Sequence, residues 1–146
     1  MRQRAVVLAV RPEVDCGRYP VKRALGELLT IEADIVGDGH DVLRAVALDR
    51  PAGAAHWRET ELTATGNDTW RATVDLAALG RHHYTVIAWV DAFATWRRGL
   101  ERKLAAGLDI AVELLEGAAL VDAADARRGD LLLRQAAVVL RGSGVL

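Results

Sequence analysis

The sequence has too little cysteine for covalent cross-links and no excess of positive charge. Cys16 is the only cysteine among 146 residues, so an internal disulfide and a cysteine-rich zinc cluster are both excluded. Nineteen Lys and Arg residues stand against twenty Asp and Glu residues, and a net charge of -1 leaves no cationic surplus to hold a phosphate backbone. We therefore expect a protein of a reducing compartment that has no nucleic-acid partner.

Long apolar runs and the common catalytic fingerprints are also missing. The apolar run at residues 5–10 is too short for a signal peptide or a membrane span, so we expect a cytoplasmic chain with no membrane partner. The sequence has no P-loop, dinucleotide fingerprint, nucleophile elbow or H-E-x-x-H motif. Consequently no cofactor is expected, and the enzyme classes that carry these motifs have no support.

Short runs with a period of two are what the sequence does contain, up to about Trp96. The clearest run is residues 27–36, where Leu29, Ile31, Ala33 and Ile35 share one face. This alternation is typical of an antiparallel sheet with one buried face. Further candidate strands are residues 5–10, 43–48, 57–63, 70–74 and 83–90, and TGNDTW predicts a hairpin turn. Together they predict an immunoglobulin-like β-sandwich over residues 1–97.

After Trp96 the apolar residues recur every three or four positions, which predicts helices over residues 98–146. We expect one amphipathic helix that ends at Gly117, a second over residues 118–126, and a third from an N-cap at Asp130 to Arg141. The third helix is apolar most of the way round and needs cover on more than one side. Its candidate interface residues are Leu132, Val138 and Val139. They predict either a dimer contact or the edge of a larger protein.

The segment GDGHD has the composition of a metal or acid/base site. Its residues are Gly37, Asp38, Gly39, His40 and Asp41. Alternate residues of a strand point to opposite faces, however, and no glutamate or further histidine nearby completes a ligand shell. The favoured interpretation is a structural turn, in which the two glycines supply positive φ and the aspartates bond local amides. No metal and no catalytic residue are expected in this chain.

Aromatic and basic residues provide the remaining candidate contacts. Trp57, Trp70 and Tyr19 are candidates for stacking on a sugar, although core packing is the favoured explanation for tryptophan. Trp89 and Trp96 are predicted to lie in the core. The loop GRYPVKR contains Arg18, Lys22 and Arg23, a candidate anion contact whose alternative is an ordinary solvated loop.

A family resemblance rests on four long segments that occur in the expected order and spacing. They are RPEVDCGRYPVKRALGE, EADIVGDGHDVLRA, TGNDTWRATV and YTVIAWVDAFATWRRGLERKLAAGLDIAVELLEG. Together they resemble the N-terminal region of the bacterial maltose-1-phosphate-dependent α-1,4-glucan maltosyltransferases of the α-amylase superfamily. The match runs from about Arg11 to about Gly117.

The resemblance implies a retaining enzyme of glycogen-like glucan synthesis, with a carboxylate nucleophile and a carboxyl acid/base in a (β/α)8 barrel. Such a barrel takes about 250 residues, so we expect this chain to be a non-catalytic N-terminal module. The expected partners are a second copy of the chain, in a homodimer, and the catalytic barrel of the parent protein. The alternatives are a carbohydrate-binding module for α-glucan and, more weakly, a stand-alone metal-dependent enzyme at GDGHD.

Overall fold

The computed structural model describes residues 5–142, which divide into two compact units. The sandwich unit comprises residues 5–39 and 43–90, and the helical unit comprises residues 40–42 and 91–142. The helical unit therefore begins at Asp91, earlier than the boundary after residue 97 that the sequence predicts. None of the helices in this part of the chain is long and apolar enough to cross a membrane.

The sandwich unit contains two antiparallel sheets. Its strands are β1 (Ala5–Arg11), β2 (Leu28–Gly37), β3 (Leu43–Pro51), β4 (Arg58–Glu61), β5 (Thr63–Gly66), β6 (Thr69–Asp75) and β7 (His82–Val90). One sheet has the strand order β1-β2-β6-β5 and the other has the order β4-β3-β7. The predicted antiparallel β-sandwich followed by a helical segment is confirmed.

The core of the sandwich consists of the alternate residues that the period of two selects. In β2, Leu29, Ile31, Ala33 and Ile35 are all buried. The opposing sheet contributes Ala45, Ala47 and Val86 to the same cluster. The burial of one face of β2 disfavours a register slip of this strand, because a shift by one residue would expose the whole set.

The predicted strand over residues 57–63 is two strands in different sheets. Leu62 lies between β4 and β5, is 2% exposed, and donates its backbone N–H to the carbonyl of Ala45 at 2.9 Å. The chain therefore changes sheets at this buried leucine. The hairpin predicted at TGNDTW joins β5 to β6, with Asn67 and Asp68 in the left-handed region at φ of 50° and 60°.

The helical unit contains α1 (Ala92–Ala105), α2 (Ala111–Arg128) and α3 (Leu131–Gly142). Asp91 caps α1, because its Oδ1 accepts the N–H of Ala94 at 2.9 Å. Gly107, at φ of 66°, follows the end of α1, and Gly129 ends α2 at the same φ. Asp130 caps α3 by accepting the N–H of Leu132 at 2.9 Å, as predicted.

The prediction that a helix ends at Gly117 is wrong, because α2 runs through that residue. A Cβ at position 117 would lie closer than 3.0 Å to three ring carbons of Trp96. Gly117 is therefore required by the close approach of an indole ring. The Trp96 ring is held there by a hydrogen bond from its Nε1 to the carbonyl of Glu113 at 2.6 Å.

Candidate functional site

A cleft of about 810 Å³ lies in the sandwich unit. Its walls come from the connection between β1 and β2, from the connection between β6 and β7, and from the first residues of β7. Sites for small molecules in proteins commonly measure about 300 to 1,000 Å³. The cleft therefore has the size of a site for a small ligand.

A tight turn at the start of the β1–β2 connection positions two of the lining residues. Asp15, Cys16 and Gly17 are successive left-handed residues with φ of 52°, 53° and 78°. An antiparallel bridge joins Val14 to Tyr19 and closes the turn. Tyr19 is left 53% exposed at the cleft, and the guanidinium carbon of Arg18 lies 5.5 Å from the centre of its ring.

The other end of this connection is held by backbone hydrogen bonds to the residue that follows β6. Gly26 donates to the carbonyl of Leu76 at 2.9 Å, and Leu76 donates to the carbonyl of Glu27 at 3.1 Å. These bonds fasten the segment that contains Lys22 and Arg23 beside the β6–β7 connection, where Arg81 lies. Side chains about 60 positions apart in the sequence are thus brought into one cleft.

The charge of the cleft lining is strongly positive. Among residues 5–142, four cationic side chains line it, namely those of Arg18, Lys22, Arg23 and Arg81. Of the described carboxylates only that of Glu13 lines it, although Asp15 approaches Arg18 to 3.7 Å from outside. An anion is therefore the kind of ligand that this lining attracts.

Tyr84 lies in the cleft wall as a partly buried hydrogen-bond donor. Its hydroxyl donates to the carbonyl of Pro12, which joins β7 to the first residue after β1. Burial raises the pKa of Tyr84 above its ordinary value; the charge of Glu13 adds to this effect, and that of Arg23 opposes it. The phenol therefore stays protonated at neutral pH and supports the wall of the cleft.

The structure does not bring the three candidate sugar-stacking residues together. Tyr19 lines the cleft, whereas Trp57 and Trp70 do not. Trp70 packs against the sandwich core, and the guanidinium carbon of Arg50 lies 4.4 Å from the centre of the Trp57 ring. The prediction that Trp89 lies in the core is wrong, since this residue on β7 is 41% exposed.

The GDGHD segment connects β2 to β3. Gly37 is the last residue of β2, and Gly39 and His40 form a turn. The predicted positive φ at Gly37 and Gly39 is wrong, because neither glycine is among those with left-handed backbone. Across residues 5–142, no three His, Cys, Asp or Glu side chains are placed to hold a metal ion together.

A second candidate surface lies on the helical unit. All four of Leu131, Leu132, Val138 and Val139 in α3 are at least 64% exposed. The three predicted interface residues are therefore on the surface, and Leu131 joins them. On the other side of the same helix Ala137 is only 1% exposed.

Sequence reasoning grouped Arg18, Lys22 and Arg23 but missed Arg81 and Tyr84. No local signal marks Arg81, because a single arginine after a glycine is common in surface loops. These residues meet in one cleft only because the fold places the β6–β7 connection and the start of β7 beside the β1–β2 connection. The grouping therefore depends on the tertiary fold.

The two sheets, the helical extension and these two surfaces define an antiparallel β-sandwich domain with a helical segment at its end. Residues 3–144 match the family model of α-1,4-glucan:maltose-1-phosphate maltosyltransferase, domain N/S. The chain belongs to this family.

Curated relatives bear the name of the same enzyme. The sequence is 46% identical over 129 residues to the α-1,4-glucan:maltose-1-phosphate maltosyltransferase of Chlorobaculum tepidum. This alignment covers 88% of this chain and 19% of the relative. It is 47% identical over 122 residues to that of Myxococcus xanthus, covering 81% of this chain and 18% of the relative. The chain thus spans about a fifth of the length of these relatives.

Proposed function

We propose that this chain is a non-catalytic assembly domain of a maltosyltransferase that extends α-1,4-glucans from maltose 1-phosphate. Its helical unit pairs with the same unit of a second copy, and the domain supports the catalytic barrel of the parent protein. The observation that carries the proposal is the solvent-exposed apolar face of α3. Membership of the maltosyltransferase family supports the wider role.

The apolar face of α3 is one continuous stripe. At about 100° per residue, the exposed Leu131, Leu132, Val138 and Val139 fall within an arc of about 120°. Gln135 and Gly142 are the other residues in this arc, so the stripe contains no charge. Two copies of an uncharged stripe can meet without repulsion, which suits the self-complementary contact of a two-fold dimer.

The opposite side of α3 is committed to α2. Ala137 is buried there, and two ion pairs join the helices: Arg134 Nε lies 2.8 Å from Asp125 Oδ2, and Arg141 pairs with Asp122. These pairs fix which face of α3 points away from α2. The exposed stripe therefore requires cover from outside the helical unit, because large apolar patches are rare on soluble monomers.

Two carboxylates of the sandwich, those of Asp49 and Asp34, are held by arginines, which is consistent with a non-catalytic role. A retaining glycosyl transfer needs two carboxyl groups about 5 to 5.5 Å apart, one of them free to act as nucleophile. Asp49 is 5% exposed and accepts two bonds from Arg58, each at 3.0 Å. Asp34 accepts two bonds from Arg11, at 2.8 and 2.7 Å.

Sedimentation velocity of the 146-residue chain over the micromolar range tests the pairing. We expect a dimer that dissociates on dilution. Leu132→Glu should weaken it by about tenfold or more, because each protomer would bury an unpaired carboxylate in the contact. Leu8→Glu is the matched control: Leu8 on β1 is 65% exposed, against 72% for Leu132, and lies in the sandwich unit.

Two results would contradict the proposal. If the chain were a monomer at every concentration, the proposed pairing would be wrong. If Leu132→Glu and Leu8→Glu had equal effects on dimerisation, the contact would not lie on α3. The non-catalytic role has a separate assay, which is phosphate release from maltose 1-phosphate in the presence of an acceptor glucan. Release by the purified chain above that of a heat-denatured sample would refute it.

A further inference from the structure

The positively charged cleft of the sandwich unit has no part in the proposed assembly. It lies in the sandwich unit, whereas the apolar stripe belongs to α3. Its lining combines cations with exposed apolar side chains in one concavity of about 810 Å³. These features need a separate explanation.

Three of the four cations of the cleft, Lys22, Arg23 and Arg81, differ in their partners from the arginines that link neighbouring strands. Arg11, Arg58 and Arg71 each bond a carboxylate across the strands, for example Arg71 Nη2 to Glu32 Oε1 at 2.6 Å. Among the described carboxylates, none forms an ion pair with Lys22, Arg23 or Arg81. In a chain whose net charge is -1, three such cations around one cleft form a local anion site.

The apolar part of the lining indicates that the anion carries an organic body. Tyr19 is 53% exposed, Leu25 is 54% exposed and Leu79 is 82% exposed, and all three line the cleft. A tyrosine face packs well on the apolar face of a sugar ring. The volume also exceeds what a single phosphate ion would fill, since a water molecule occupies about 30 Å³ of liquid.

We propose that this cleft binds the phosphate monoester of a small sugar. Lys22, Arg23 and Arg81 hold the phosphate, and Tyr19 packs against the sugar. Arginine and lysine bind phosphate through charge-assisted hydrogen bonds, the strongest that these side chains form. This site lies in the sandwich unit, so binding there would not require pairing through α3.

Isothermal titration calorimetry of the 146-residue chain tests the site with three probes: glucose 1-phosphate, inorganic phosphate and maltose. We expect glucose 1-phosphate to bind more tightly than phosphate, maltose to give no heat of binding at the same concentration, and added salt to weaken the binding. The double variant Lys22→Ala, Arg23→Ala should lower the affinity by about tenfold or more, because two charged donors are lost.

The matched control is Arg98→Ala, Arg102→Ala, which removes the same two charges from exposed positions on α1. We expect this control to leave the affinity unchanged. Circular dichroism of both variants should match that of the parent chain, since all four side chains are exposed.

Three results would overturn the proposal. Equal affinity for glucose 1-phosphate and inorganic phosphate would show that the sugar does not contribute to binding. If maltose bound as tightly as glucose 1-phosphate, the phosphate would not contribute. If both double variants lost the same affinity for glucose 1-phosphate, the loss would come from the change in net charge and not from the cleft. Because Leu132→Glu leaves the cleft intact, a failure of the dimer would not affect this test.

Discussion

Replacing Gly117 by alanine should destabilise the helical unit, although the same change usually stabilises a helix. Glycine inside a helix costs about 1 kcal/mol relative to alanine. At position 117, however, the added Cβ would lie closer than 3.0 Å to Cζ2, Cε2 and Cη2 of Trp96. The indole ring must therefore move, or the two helices must separate.

The size of the effect follows from what holds the ring. Overpacking a close contact costs about 1 to 3 kcal/mol. Moving the indole also weakens the 2.6 Å hydrogen bond from Trp96 Nε1 to the Glu113 carbonyl, which contributes about 1 kcal/mol. After the gain in helix propensity is subtracted, we expect Gly117→Ala to lower the free energy of unfolding by about 1 to 3 kcal/mol.

Gly99→Ala is the matched control, because Gly99 lies inside α1 and a Cβ there would meet no atom within 4 Å. This variant should raise the free energy of unfolding by up to about 1 kcal/mol. Urea denaturation followed by far-ultraviolet circular dichroism measures both variants. Opposite signs at the two glycines are the specific expectation.

A double-mutant cycle with Trp96→Phe isolates the contact. The new Cβ would meet the six-membered ring of the indole, and the single ring of phenylalanine does not reach as far. Gly117→Ala should therefore lower the free energy of unfolding by less when residue 96 is phenylalanine. Equal stabilisation by Gly99→Ala and Gly117→Ala would refute the close-approach argument. So would a cost at Gly117 that is independent of the residue at position 96.

Two further predictions concern pH and protein concentration. The hydrogen bonds from Arg11 hold the pKa of Asp34 down to about 2 from its ordinary 3.8. The pair therefore stabilises the fold above about pH 4 and loses its effect as the pH falls toward 2, so the stability difference between the parent chain and Asp34→Asn should shrink over that range. An unchanged difference at pH 2.5 would contradict this assignment. If α3 pairs with a second copy, the melting temperature of the helices should rise with protein concentration, and a constant value in calorimetric scans would count against pairing.

Local patterns were sufficient to predict most of the sandwich. The alternation in β2 specifies which residues are buried, because side chains of a strand point to opposite faces in turn. The change of sheets at Leu62 was not predictable in this way. The pattern of residues 57–63 predicts one strand, and only the structure shows that β4 and β5 on either side of the buried Leu62 belong to different sheets.

Gly117 shows why the helices were harder to place. A glycine after an amphipathic run is the usual signal for a helix end, yet the same residue also occurs where another side chain approaches the backbone closely. The sequence does not distinguish these two uses, since the ring of Trp96 lies about twenty positions away. The actual break occurs at Gly107, where φ is 66°.

The cationic side chains of the sandwich fall into two groups, those that pair with carboxylates of the fold and those that are available to bind a ligand. Arg11 and Arg58 each bind a carboxylate through two hydrogen bonds, and each also lies beside a second carboxylate, Glu32 for Arg11 and Asp75 for Arg58. Lys22 and Arg81 are exposed at the cleft and have no comparable role in the fold. Their replacement should therefore leave the stability of the sandwich almost unchanged, so a loss of phosphate-ester affinity in such variants can be attributed to the site itself.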